Sequence, residues 1–311
     1  MIRSRIGAGL MVLSLLIVSL CGCSGQWDST AGDKLSVYAT GFPEYDAVRA
    51  VSGDLVDLHM ILPVGSSEIH NYDPSLREQI AIAECDLLVL CGGESDTWVD
   101  TLLQSLDKPP CQIRLMDVVE PVHEESMGEH DHQHGEAYDE HVWTSPVNMM
   151  NIVQAVADKL MDLDPDNAQI YAANATKYIL KLQQLDQDYR DMVEEAQRRT
   201  IVVGDRFPFL YLAREYGLSY YAAFPGCADS TEENIGTTAE LIDKVRELDI
   251  PVVFHVEMSN CKTAQSIAAE TGAAIRCLHS CHNVTAEEFE SGTTYIDLMR
   301  QNLTYLREAL N

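Results

Sequence analysis

The sequence predicts an α/β protein made of two wound α/β lobes with parallel sheets, joined by one long rigid helix. Two series of short apolar strands alternate with helices, one from 35 to about 106 and the other from 200 to 278. Such alternation is typical of parallel sheets with helical crossovers. Between the two series, residues 165–198 contain no glycine and no proline beyond Pro165, and their apolar positions recur near helical spacing. At 1.5 Å per residue this helix would be about 50 Å long, enough to cross a whole lobe.

The first lobe is predicted to contain strands at 35–41, 55–63 and 85–93 and helices at 42–53, 74–84, 95–106 and 147–161. The second lobe is predicted to contain strands at 200–204, 218–224, 250–256 and 273–278 and helices at 207–217, 237–249, 261–272 and 294–310. Asp164 is expected to cap the long helix, because Pro165 suits its first turn. The expected domains are a signal peptide (1–23), a tether (24–34), an N-terminal lobe (35–163), a linking helix (164–198) and a C-terminal lobe (199–311).

The N-terminus has the anatomy of a secretory signal, in which two arginines precede an apolar run and then small residues. The run from Leu10 to Leu20 is shorter than the ~20 residues that span a bilayer. The stretch Leu20-Cys21-Gly22-Cys23 resembles a bacterial lipobox, and the small Gly22 favours Cys23 over Cys21 as the lipidated residue. We therefore expect an extracytoplasmic protein that is lipid-anchored through Cys23 to the outer face of a bacterial cell membrane. Plain secretion, with the signal removed elsewhere, is the alternative.

The chain is strongly acidic, with 49 acidic against 21 basic residues and a formal net charge of −28. Nucleic acid and anionic lipid surfaces are poor partners for such a chain, whereas cationic ligands are electrostatically favoured.

Of the nine cysteines, seven remain beyond Cys21 and Cys23, and an odd number cannot all pair within one chain. Cys85 and Cys91 flank a predicted strand. Six strand residues span about 20 Å, whereas a disulfide needs Cα atoms within about 7 Å. We expect most of the thiols to be free and buried. A disulfide between Cys277 and Cys281 is the alternative that remains.

Several candidate metal ligands follow predicted strands. In open α/β sheets, ligands bind beyond the carboxyl ends of the strands. The first lobe offers His70 and His141 there, and the second lobe offers Asp205, His255, Glu257, His279 and His282. Histidines and carboxylates from two lobes, brought to one cleft, would suit zinc or manganese.

Two stretches, ILPVGSSEIHNYDPS and DEHVWTSPVN, resemble those of the zinc and manganese solute-binding proteins of ABC transporters, the cluster A-I family. The resemblance runs from Leu35 to Asn311. It implies two lobes joined by a rigid helix, and capture of Zn²⁺, with Mn²⁺ as the alternative, for delivery to ABC permease and ATPase subunits. It also implies a monomer that is not an enzyme, with His70 and His141 as the first two ligands.

The remaining ligands depart from the family pattern. Members usually carry His or Glu three residues before a Phe in the second lobe, and here Arg206 stands at that place before Phe209. Arginine cannot ligate a metal. Asp205 or Glu257 could ligate instead, or the site could have one ligand fewer. We expect Arg206 to pair with a carboxylate such as Glu257.

The family's fourth ligand, an Asp, aligns with His279 in CLHSC. His282 is the rival if the loop is shifted. An exchange of Asp for His would shift the preference toward zinc.

The stretch EHDHQHGEAYDEHVW divides into two parts. His130, His132 and His134 stand in a polar segment without apolar periodicity, which predicts a mobile, low-affinity collector of metal. An incidental polar loop is the alternative. His141, followed by Val-Trp and a proline-started helix, is predicted to be a fixed ligand.

Two other functions remain open at this point. One is a surface metal-buffering or adhesin lipoprotein without a permease. The other is a zinc hydrolase, although the chain lacks HExxH and GxSxG motifs. For zinc capture, imidazoles must be neutral, so binding is expected to weaken below about pH 6.5, the ordinary histidine value.

Overall fold

The computed structural model describes residues 34–66, 72, 74–124, 138–226 and 235–311. Within it, Lys34–Asn311 forms one compact unit. The first half contains β1 (Ser36–Ala39), α1 (Phe42–Ser52), β2 (Asp57–Met60), α2 (Leu76–Glu84), β3 (Leu87–Leu90), α3 (Thr97–Gln104), β4 (Cys111–Arg114) and α4 (Pro146–Leu163). The linking helix is α5 (Ala168–Glu195). The second half contains β5 (Thr200–Phe207), α6 (Leu210–Tyr216), β6 (Ser219–Pro225), α7 (Ile235–Glu247), β7 (Val252–His255), α8 (Lys262–Thr271), β8 (Ala274–Cys277), α9 (Ala286–Glu290) and α10 (Tyr295–Leu310).

The described strands form two four-stranded sheets with the orders β2-β1-β3-β4 and β6-β5-β7-β8. All their strand pairs are parallel. The predicted fold class is therefore confirmed. Strand β4 and the short helix α9 were not predicted. In β4, only Ile113 is buried, so the CQIR stretch lacks the apolar run by which the other strands were found.

Alternation along the strands distributes the core over both faces of each sheet. In β3, Leu87 and Val89 join a large apolar cluster that also contains the buried face of α5, whereas Leu88 and Leu90 pack under α2 and α3. In β7, Val253 faces the side of α7 and α8 in the same way. Side chains of a strand point alternately to opposite faces, so one continuous core joins the inner faces of both sheets to the linking helix.

Helix α5 has 28 residues and is roughly 42 Å long at 1.5 Å per residue. The predicted span of 165–198 was too long, because Pro165–Asn167 forms a 3-10 turn and the helix ends at Glu195. Asp164 makes no side-chain cap to the backbone. Its carboxylate instead accepts hydrogen bonds from the side chains of Asn167 and Tyr171, both at 2.7 Å.

A buried carboxylate connects the linking helix to both lobes. Asp46 in α1 is 1% exposed and forms an ion pair with Arg49. It accepts hydrogen bonds from the hydroxyl of Tyr178 in α5 at 2.7 Å and from the backbone of Tyr295 in α10 at 2.9 Å. Arg49 in turn donates to the carbonyl of Thr293 at 2.7 Å. One charge therefore holds three helices that are distant in sequence.

The six cysteines within the described ranges are all free thiols, so Cys277 and Cys281 do not form a disulfide. Cys85, Cys91 and Cys281 are buried, whereas Cys111 is exposed. In the part of the chain that the structure covers, no helix combines the length and apolarity needed to cross a membrane.

Replacing Asp46 with Asn should destabilise the protein by about 3–5 kcal/mol, because it breaks a buried ion pair and leaves Arg49 without its partner. Asp164→Asn is the matched control. Asp164 also accepts a hydrogen bond from a tyrosine hydroxyl, but it is only half-buried and forms no ion pair. We expect the control to cost about 1 kcal/mol. Urea unfolding followed by circular dichroism measures both, and equal losses would contradict the role given to Asp46.

Candidate metal centre

The loop after the last strand of the second sheet docks against the first lobe. In this loop, residues 278–284, the carbonyl of His282 accepts a hydrogen bond from the backbone of Phe42 at 3.2 Å. The fully buried Asn283 donates to the carbonyls of Pro63 at 2.9 Å and Ser66 at 3.0 Å. Strand ends from both sheets therefore meet at one place, as the parallel topology requires.

His141 is held in a fixed orientation by its own loop. It is 1% exposed and begins a 3-10 turn at Val142–Thr144. The carboxylate of Asp139 accepts a hydrogen bond from the backbone of His141 at 2.9 Å and lies 3.3 Å from its Nδ1. A carboxylate at Nδ1 favours the tautomer with the proton on that nitrogen and the lone pair on Nε2, the nitrogen that a metal-binding histidine held in this way uses.

His282 brings a second imidazole to His141. The two ring centroids are 5.6 Å apart at an interplanar angle of 80°. Two imidazoles that share one zinc ion at 2.0–2.1 Å from each nitrogen would have centroids roughly 5–6 Å apart. The ring of Trp143 packs edge-on against His282 at 5.0 Å, and its indole donates to the carbonyl of Ser280 at 2.8 Å. This arrangement positions the His282 loop against the loop that carries His141.

His279 is placed differently. Its Nδ1 accepts a hydrogen bond from the backbone of Cys281 at 2.9 Å, so in the neutral ring the proton is on Nε2. That Nε2 is buried and has no hydrogen-bond partner among the described residues. Asn302 of α10 holds the backbone, because it accepts from the His279 amide and donates to the His279 carbonyl, both at 2.7 Å. To bind a metal through Nε2, His279 would have to give up the bond from Cys281.

Glu257 and Asp205 both make hydrogen bonds within the second lobe. Glu257 accepts from the backbone of Ser280 at 2.7 Å and from its hydroxyl, and its Oε1 lies 3.7 Å from Nδ1 of His279. Asp205 accepts from the hydroxyl of Ser259 and from the backbone of Arg206 at 2.9 Å. The two carboxylates therefore brace the loops around the candidate centre.

The sequence predicts a strand that ends at residue 204 and places Arg206 in the following loop, but Arg206 lies within strand β5. Strand β5 continues past a register shift between Val203 and Arg206 and ends at Phe207. The expected pairing with Glu257 is wrong, since the guanidinium of Arg206 makes no ion pair within the described ranges and its Nε is buried without a partner.

His255, another candidate, ends β7, and its Nδ1 lies 2.8 Å from the carbonyl of Val256. His70 and the histidines at 130, 132 and 134 lie outside the described residues. The hydroxyl of Tyr211 connects the described residues on the two sides of 125–137. It donates a hydrogen bond to the carbonyl of Asp139 at 2.9 Å and accepts one from the backbone of Val122 at 3.0 Å. Within the described ranges, no group of three His, Cys, Asp or Glu side chains is arranged to hold a metal ion.

Sequence reasoning missed an acidic cavity beside His282. Its lining includes three carboxyl side chains, Glu44, Asp96 and Glu140. Glu44 lies in the first turn of α1, where acidic residues are common because a negative charge interacts favourably with the helix dipole. Its position in the sequence therefore does not indicate a binding site.

The comparisons with known proteins agree on one family. Residues 37–309 match the family described as "Zinc-uptake complex component A periplasmic". The high-affinity zinc uptake system protein ZnuA of Bacillus subtilis (strain 168) is 33% identical over 315 residues, which cover 97% of each chain. The zinc-binding lipoprotein AdcA of Streptococcus pneumoniae (strain ATCC BAA-255 / R6) is 32% identical over 307 residues. That match covers 95% of this chain and 60% of AdcA, so the chain spans about 60% of the length of this relative.

The solved structures give the same result. The Zn(II)-bound ZnuA-like domain of Streptococcus pneumoniae AdcA superimposes with a TM-score of 0.73 at 30% identity, covering 89% of this chain and 99% of the domain. The fold, the converging histidine loops and the match over residues 37–309 place this chain in the zinc-uptake complex component A family.

Proposed function

We propose that this protein is the extracytoplasmic zinc-binding component of an ABC transporter, which captures Zn²⁺ between its lobes and delivers it to a membrane permease. The observation that carries the proposal is the pair of imidazoles, His141 and His282, that two different lobes bring to a distance suited to one zinc ion. The Zn(II)-bound domain of AdcA and the zinc-uptake name of the Bacillus relative support the choice of zinc over manganese.

The proposed ligands are His70, His141 and His282. His282 is assigned as the ligand from the last loop in place of His279, because Nδ1 of His279 accepts a hydrogen bond from the backbone of Cys281. Asp205 and Glu257 act as supports of the loops rather than as ligands. Because Arg206 stands where relatives are expected to carry a ligand, a fourth coordination position is left for water or for a group supplied at the permease.

Anchoring and partners follow from the same role. A lipid on Cys23, which lies outside the described residues, would keep the protein at the outer face of the membrane, and 24–34 would tether it. The partners would be the permease and ATPase subunits of one transporter, and the protein would act as a monomer. AdcA is a named lipoprotein, which supports this placement.

The choice between the two histidines of the last loop can be tested by substitution. His282→Ala should weaken zinc binding at least about 100-fold, because it removes a direct ligand. His279→Asn is the matched control, since its amide oxygen can still accept from the backbone of Cys281 while no ring nitrogen remains. We expect the control to lose less than about tenfold. Competition against a chromophoric zinc chelator measures both, and a larger loss in His279→Asn would reverse the assignment.

The division of the histidine-rich stretch gives a second prediction. Deleting residues 129–135 should leave one tight zinc site with an unchanged dissociation constant, because that site needs His141 but not His130, His132 or His134. His141→Ala should instead weaken the tight site at least about 100-fold. Calorimetric titration counts the sites in each variant. Loss of the tight site in the deletion variant would show that these histidines belong to it.

A further inference from the structure

The acidic cavity adjoins the proposed zinc centre, because His282 forms part of its wall. It lies between the loops after β1, β2 and β3 and the His282 loop. Three carboxyl groups line it, and no lysine or arginine stands among the described lining residues. A Cβ built on Gly41 would lie 3.0 Å from Oε2 of Glu44 and 3.3 Å from the carbonyl of His282. The cavity therefore places a carboxylate close to the His282 backbone.

Glu44 differs from the two other acids. Glu140 accepts hydrogen bonds from the backbone of Ser95 at 2.9 Å and from its hydroxyl at 2.5 Å. Asp96 accepts from the backbone of Gly92 at 2.9 Å. Glu44 is only 2% exposed, yet its Oε2 has no hydrogen-bond partner in the described part of the chain. Burying an ionised group without a partner is expensive, so either a proton or a cation must compensate it.

The charges around the cavity are unbalanced toward the negative. Burial, followed by the charge of Asp96, raises the pKa of Glu44 to about 8. Burial, followed by the charge of Glu140, raises the pKa of Asp96 to about 6. Arg114 lowers the pKa of Asp96, but it is itself paired with Asp100. Below about pH 8 a proton therefore neutralises Glu44, and a cation that binds there has to displace this proton.

We propose that this cavity is a second cation-binding subsite, in which Oε2 of Glu44 contacts a hard divalent ion and Asp96 and Glu140 balance its charge. Oxygen donors suit Mg²⁺, Ca²⁺ and Mn²⁺ better than they suit zinc. Because no three acidic side chains of the described residues converge as direct ligands, the proposed contacts of the ion with Asp96 and Glu140 are through water. Hard cations commonly retain such waters. The subsite shares His282 with the wall of the proposed zinc centre, but none of its three carboxyl groups is a proposed zinc ligand.

The test uses Mn²⁺ as the probe on the chain from Ser24 onward, with residues 129–135 deleted so that their histidines take no part. The protein is first given one equivalent of Zn²⁺, and Mn²⁺ is then titrated while electron paramagnetic resonance reports the free ion. One further Mn²⁺ should bind. Glu44→Gln should weaken this binding at least tenfold, whereas Glu84→Gln, an exposed residue outside the cavity, should leave it unchanged.

The pH dependence gives a readout that a merely structural role would not produce. Because Mn²⁺ must displace the proton of Glu44, its binding should tighten about tenfold per pH unit below the pKa of about 8 and level off above it. Glu44→Gln should lose this dependence and keep its melting temperature and its zinc. Equal Mn²⁺ uptake by both proteins would overturn the proposal, as would loss of zinc from Glu44→Gln, which would place Glu44 in the zinc centre. The same titration without zinc separates this result from failure of the zinc site.

Discussion

The two-lobe arrangement depends on the buried charge of Asp46. Its carboxylate joins the first helix of one lobe to the linking helix through Tyr178 and to the last helix of the other lobe through the backbone of Tyr295. The apolar attraction of the surrounding core is non-directional, whereas a buried ion pair with hydrogen bonds sets the relative position of these helices at specific atoms. Asp46 therefore fixes the relative positions of three helices. These positions in turn determine where the loops after β1 and β8 lie.

The docking of the 278–284 loop limits how a bound ion can leave. Asn283, the backbone of His282 and the indole of Trp143 all form hydrogen bonds between this loop and the first lobe. Wide opening would break all of these hydrogen bonds at once and would leave their donors and acceptors without partners. For a zinc carrier, release by a local movement of one histidine loop therefore costs less free energy than release by a hinge motion of whole lobes.

The alternation of strands and helices was enough to predict the fold class, because parallel sheets with helical crossovers leave that pattern in any sequence. It could not reveal β4, in which only Ile113 is buried, or the continuation of β5 through Asp205 and Arg206 after a register shift. The role of His279 depends on which ring nitrogen accepts a backbone hydrogen bond, and no spacing of residues encodes that. Glu44 was missed for a related reason: its burial arises from the loops around it and not from its own helix.

Arg206 gives the proposed zinc centre its particular character. A cation at a ligand position leaves three imidazoles, and each lost ligand weakens binding and speeds dissociation. For a carrier, fast dissociation is useful at the permease but a disadvantage during capture from dilute solution. The acidic surface, with a net charge of −28, compensates during capture, because it raises the local concentration of cations without adding a bond that must be broken at release. Long-range attraction and weak ligation together would therefore favour rapid exchange over tight storage.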